Sequence, residues 1–163
     1  MDISAFAALL FLPFALPICI YVAFSDMRDM RIPNQMVVAL FAVFAIVGLI
    51  ALPLDVYAWR YLHVLVVLVA GIALNAGGAL GAGDAKFAAA AAPFIQLADV
   101  RFLVALFAAN MLAAFVTHRI GKHSGLKRIA PHWKSWDNPK FPMGLALGGT
   151  LALYLALGVW FGR

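Results

Sequence analysis

Four stretches of this chain run for more than twenty residues without a Lys, Arg, Asp or Glu: Ile3 to Ser25, Pro33 to Leu54, Tyr61 to Gly83 and Phe141 to Gly162. A helix needs roughly 17 to 25 mostly apolar residues to cross the hydrocarbon core of a bilayer. The apolar residues come in solid blocks, neither alternating nor confined to a narrow stripe, as membrane helices require. Two shorter blocks, Phe87 to Ala98 and Phe102 to Thr117, flank Asp99 and Arg101. A single helix over both, about 31 residues long, would hold this charged pair near mid-membrane, at several kcal/mol for each unpaired charge. Two spans are therefore expected. The predicted fold is an all-α membrane protein of about six transmembrane helices, forming one transmembrane domain over residues 1–163, with a glycine-rich break before the fourth helix.

The fourth span is short, and Lys86 extends it by carrying its ammonium to the interface along an apolar stem. The charges agree with six spans. Arg28, Arg31, Lys86, Arg119, Lys122, Lys127, Arg128, Lys134 and Lys140 fall on one side, nine of the twelve cations, and Arg60, Arg101 and Arg163 on the other. The positive-inside rule makes the first side cytoplasmic, with both termini outside and a basic cytoplasmic loop over about residues 118–142. With 66% hydrophobic and 12% charged residues, a soluble fold is excluded. The net charge of +5 lies next to the membrane, so anionic headgroups rather than nucleic acid are the expected partner. The first block is read as a permanent span, because Asp2 stands where a cleaved signal would carry basic residues. Cys19 is a lone thiol inside that block and can form neither an internal disulfide nor a four-Cys zinc site.

Ionisable groups kept at membrane depth are functional candidates. One cluster is Ser25-Asp26-Met27-Arg28-Asp29-Met30-Arg31-Ile32-Pro33-Asn34, in the turn between the first two spans, where Pro33 suits the opening of a helix. Alone, Asp26 also reads as a solvated carboxylate paired with Arg28 or Arg31. A second cluster is Gly77-Gly78-Ala79-Leu80-Gly81-Ala82-Gly83-Asp84-Ala85-Lys86. Its glycines permit positive φ and close backbone approach, and Asp84 alone reads as a helix N-cap. The conjunction says more. Six spans bring Asp26 and Asp84 to the same membrane face in a chain with seven Asp and no Glu. Two carboxylates close together in a low-dielectric site share a proton, which is the requirement for activating water without a metal. The helix N-terminus and Lys86 favour an ionised Asp84, leaving the proton on Asp26.

The string Asp26-x-Arg28-x-x-Arg31-Ile32-Pro33-Asn34, followed by Gly81-Ala82-Gly83-Asp84-Ala85-Lys86, resembles the two signature motifs of the type IV prepilin peptidases. Phe141-Pro142-Met143-Gly144 is similar to that family's opening of its last span. The resemblance implies a membrane aspartic endopeptidase with Asp26 and Asp84 catalytic. Gly81, Gly83, Lys86, Pro33 and Asn34 become the turn-shaping and substrate-binding candidates. No metal and no cofactor are implied. The implied substrates are prepilins, whose short basic leader is cut after a glycine at the cytoplasmic face of the bacterial inner membrane. This chain lacks the four-Cys N-terminal region of larger members and resembles the short peptidase-only type associated with Flp or tight-adherence pili, without methyltransferase activity. Asp29 is an extra acid to which the resemblance gives no role. Two other classes remain open: a small-molecule or ion transporter using an intramembrane Asp, and an inactive membrane subunit of a pilus machine. A presenilin-like peptidase would share the Gly-x-Gly-Asp string but not Ile32-Pro33-Asn34. His63, His118, His123 and His132 lack metal-ligand spacing. Trp59, Trp133, Trp136 and Trp160 lie near span ends, where aromatic side chains anchor.

Overall fold

The computed structural model describes residues 1–124 and 126–163, and its regular structure over them is all helix, with no strand. The long helices are α1 (Ala5–Asp29), α2 (Asn34–Ala51), α3 (Leu54–Ala76), α5 (Val100–His123) and α7 (Met143–Phe161). The short ones are α4 (Ala82–Ala91) and α6 (Leu126–Ile129). All five long helices have the length and hydropathy to cross a membrane. The sixth pass is α4, continued by 3-10 turns at Ala92–Phe94 and Leu97–Asp99. Its first turn holds Asp84 beside Asp26 near the end of α1, and it finishes at Asp99, whose carboxylate accepts the amides of Asp2 and Ile3 before the start of α1. It therefore travels the full depth of the bundle, and the protein is a multi-pass membrane protein with both chain ends at one end. There the Met1 ammonium donates to the Phe161 carbonyl, and the Arg163 amide donates to the Ile3 carbonyl.

The core is the seam between α1 and α7. The buried residues of α1 recur one turn apart at Phe11, Ala15, Cys19, Val22 and Asp26, while Pro13 and Pro17 face outward. Prolines persist inside a membrane helix because neighbours and local adjustments satisfy the freed carbonyls. Along α7 the opposing positions are glycines. A Cβ at Gly158 would come 3.0 Å from the Ala8 methyl, one at Gly148 would lie 2.7 Å from the Cys19 carbonyl oxygen, and one at Gly144 would lie 2.8 Å from Asp26 Cβ. These approaches fix an antiparallel register, and small residues are what allow two membrane helices to pack backbone to backbone. On the other flank of α1, Phe11 meets Phe94 edge-on with centroids 4.9 Å apart, and Phe44 stacks on Tyr57 at 5.5 Å.

Three differences from the sequence-based expectation have physical causes. The third span runs seven residues earlier than its uncharged block, because Arg60 is not at a surface. Its guanidinium is buried and donates to the carbonyls of Pro93 and Ile95 and to the Gln96 side chain, so the helix continues through it. The helix stops at Ala76, and Gly78 follows with a φ of 74°. Among the described residues only Gly78 and Met30 have positive φ, so Gly81 and Gly83 do not use that freedom. Trp136 is no interfacial anchor: it is 0% exposed, stacked between Trp133 and His118, with its indole N–H donated to the Ala130 carbonyl. Trp133 in turn meets Phe24 of α1 edge-on at 5.6 Å, which folds the basic segment back onto the bundle.

Candidate active site

Asp26 lies one turn before the end of α1, on the stripe that faces α7, and is 6% exposed. Its Oδ2 accepts the backbone N–H of Gly144 at 2.7 Å. Gly144 is the second residue of α7, behind the N-capping Pro142. Its amide is one of those a helix start leaves without an internal partner, and the positive end of a helix favours a carboxylate. A hydrogen bond to a charged group contributes about 1.5 to 3 kcal/mol. The sequence motif contains a neighbouring acid, Asp29, and the structure separates the two. Asp29 is only partly buried, pairs with the Arg28 guanidinium at 2.8 Å and lies 3.9 Å from the Lys134 ammonium. Neither Arg28 nor Arg31 pairs with Asp26 among the described residues.

The turn after α1 is held by its own bonds. Met30 takes a left-handed conformation with φ of 55° and donates its amide to the Asp26 carbonyl, and Ser25 Oγ donates to the Arg31 carbonyl at 3.0 Å. Ile32 is thereby buried, and Pro33 caps the start of α2. The second motif lands on this platform. A Cβ at Gly83 would lie 3.4 Å from Ile32 Cβ, and the Lys86 ammonium donates to Asn34 Oδ1 at 3.3 Å. Two segments far apart in sequence are thus locked together, the Lys86–Asn34 bond joining residues 52 positions apart.

Asp84 occupies the third position of α4, with Gly81 as N-cap. Its carboxylate turns back toward the Gly81 amide, the acid half of a capping box. A Cβ at Gly81 would come 2.6 Å from Asp84 Oδ2, so a glycine is what leaves room for this turn. Lys86 does not reach Asp84: its ammonium is turned away to Asn34.

Of the candidates from the sequence, Asp26, Asp84, Gly81, Gly83, Lys86 and Asn34 converge, and Pro33 sets the boundary that holds Ile32 and Asn34 in place. Gly144 and Ile32 are additions. The signal for Gly144 was the Pro142-x-Gly144 string at the last helix, although nothing local to it names Asp26 as its partner. Two neighbouring carboxylates that share one proton form a pair suited to deprotonating water and protonating a carbonyl oxygen. A family model described as the type IV leader peptidase family matches residues 13–118, which contain both Asp and the Gly81–Gly83 pair but not α7. No curated protein and no solved structure matches the chain.

Proposed function

Because the chain belongs to the type IV leader peptidase family, we propose that it is an aspartic endopeptidase in which Asp26 and Asp84 remove the leader from prepilins of the Flp type. The convergence of these two carboxylates at one end of the bundle carries the reading. The ionised carboxylate of the pair takes a proton from water as the oxygen attacks the scissile carbonyl carbon. The protonated one gives its proton to the carbonyl oxygen, producing a neutral gem-diol. Collapse returns one diol proton to the second carboxylate while the first passes its proton to the departing amide nitrogen, which restores the starting pair. The reaction uses no metal and no cofactor. In this reading Gly81 and Gly83 shape the turn that meets the substrate, with Lys86 and Asn34 beside it, and residues 1–163 act as one peptidase domain without methyltransferase activity.

Nine cations at the dyad end argue, by the positive-inside rule, for an active site on the cytoplasmic face of the inner membrane with both termini outside. The test is cleavage of a Flp-type prepilin in membranes. Asp26→Asn and Asp84→Asn are expected to lose at least about 10³-fold in rate, and Asp29→Asn to stay within a few-fold of wild type, with chelator inert. Full activity in either of the first two variants removes that residue from the mechanism.

A further inference from the structure

Two spaces open beside α3, and they meet. One is an apolar groove of about 550 Å³ walled by α3 and α5 and floored by α4 and α7. The other, of about 410 Å³, is lined by Asp55, Val56, Arg60 and Gln96. Trp59, His63 and Leu97 line both. The polar space lies at the end of the bundle away from the dyad, since Asp55 and Arg60 belong to the first two turns of α3 and Gln96 closely precedes Asp99. Trp59, 61% exposed, stands at the junction, and such a ring marks the level at which headgroups give way to hydrocarbon. The groove runs from there only to Val67 on α3 and Phe107 on α5. Trp59 and Val67 are eight positions apart, a rise of about 12 Å in a hydrocarbon core of about 30 Å. A partner's transmembrane helix needs the full depth, whereas a groove confined to one leaflet fits an acyl chain.

The polar groups are ordered along α3. Asp55 comes first, Arg60 follows about 7 Å deeper and His63 about 12 Å deeper, and past them the lining is apolar except for Thr150, whose hydroxyl is engaged with the Ala146 carbonyl. Neither Asp55 nor Arg60 enters an ion pair among the described residues. Arg60 is 4% exposed, and the Pro93 and Ile95 carbonyls and the Gln96 side chain fix its guanidinium without cancelling its charge. His63 Nε2 is buried and has no partner among the described residues. Acid, base, polar ring and hydrocarbon are the complement, in order, of an ammonium, a phosphate, a glycerol ester and an acyl chain. We propose that the two spaces form one site for a glycerophospholipid with an ethanolamine headgroup, in the leaflet away from the dyad. Asp55 takes the ammonium, Arg60 faces the phosphate, His63 donates from Nε2 to an ester oxygen, and the chain lies along Ala88, Ala91 and Ala92. A choline tip has no N–H to give Asp55, and a glycerol tip has no positive charge.

The experiment embeds the protein in nanodiscs of equal parts phosphatidylethanolamine, phosphatidylcholine and phosphatidylglycerol with identical acyl chains, and identifies the lipid that stays bound by native mass spectrometry. Wild type is expected to retain phosphatidylethanolamine about tenfold over either of the others. Asp55→Asn is expected to bring it down to the level of phosphatidylcholine. Asp2→Asn, which removes an acid at the same end of the bundle but outside the site, is expected to keep the preference. Ala91→Trp, which fills the floor of the groove, is expected to release the lipid although the polar space is intact. Equal retention of the three lipids marks an ordinary annular lipid and overturns the site, as does a preference for phosphatidylglycerol or a wild type that retains none. Equal loss in Asp55→Asn and Asp2→Asn overturns it too, because the preference then follows net charge rather than place. Should Ala91→Trp misfold, the wild-type ranking and the two Asp variants decide. Prepilin cleavage is no part of the readout, so this outcome and that of the peptidase test are independent.

Discussion

Gly81 and Gly83 are separated by one residue and solve different steric problems. The first leaves room for a carboxylate that turns back over it, with Asp84 Oδ2 2.6 Å from where a Cβ would stand, and the second lets α4 begin against Ile32. Neither needs positive φ, which is why the glycine run alone pointed to a turn without revealing its purpose. Gly81→Ala would put a methyl against the Asp84 carboxylate and is expected to displace it and slow prepilin cleavage by about 10²-fold; an unchanged rate would show that the carboxylate swings clear of the methyl without loss. The carboxylate pair itself was legible because both motifs are local in sequence. The Gly144 amide was not, because its bond to Asp26 joins residues 118 apart.

Element boundaries were readable where charge and burial agree, and misread where they part. Arg60 looked like the end of a span because the sequence does not show the Pro93 and Ile95 carbonyls and the Gln96 side chain that receive its guanidinium. Asp99 was read correctly as a break, since a carboxylate in mid-bilayer has no partner cheap enough to keep it there. Between α1 and α7 the glycine at 148 faces backbone rather than a movable side chain, 2.7 Å from the Cys19 carbonyl oxygen. Gly148→Ala is expected to destabilise the protein by about 1 to 3 kcal/mol, the usual range for overpacking. Cys19→Ala should not rescue it, because the obstructing atom belongs to the main chain. Restoration of wild-type stability in the double variant would place the strain at the thiol instead.

At the scale of the molecule, the two ends of the bundle are tied by different means. The dyad end is closed by contacts between motifs, and the other by bonds between the chain termini together with one buried carboxylate. Asp99 accepts the amides of Asp2 at 2.8 Å and Ile3 at 3.0 Å and the Tyr154 hydroxyl at 2.9 Å. Asp99→Ala leaves three donors unpaired, each at about 1 to 3 kcal/mol if no water replaces the carboxylate. Hydrogen exchange at residues 1–5 should accelerate at least tenfold, while peptide cleavage is kept. The dyad lies about 35 Å away along α1, so loss of cleavage in a folded Asp99→Ala protein would reveal coupling between the ends. Six passes could be read from blocks and charges, but the partners of each helix could not, because membrane helices share one lipophilic composition. The seam that results joins the first long helix to the last. Synthesis runs from the N-terminus, so Asp26 emerges early and waits for the amide of Gly144, 118 residues later, to hold it. A partly made chain thus carries an unaimed carboxylate, and the order of manufacture delays the assembly of the dyad until the final helix has been inserted.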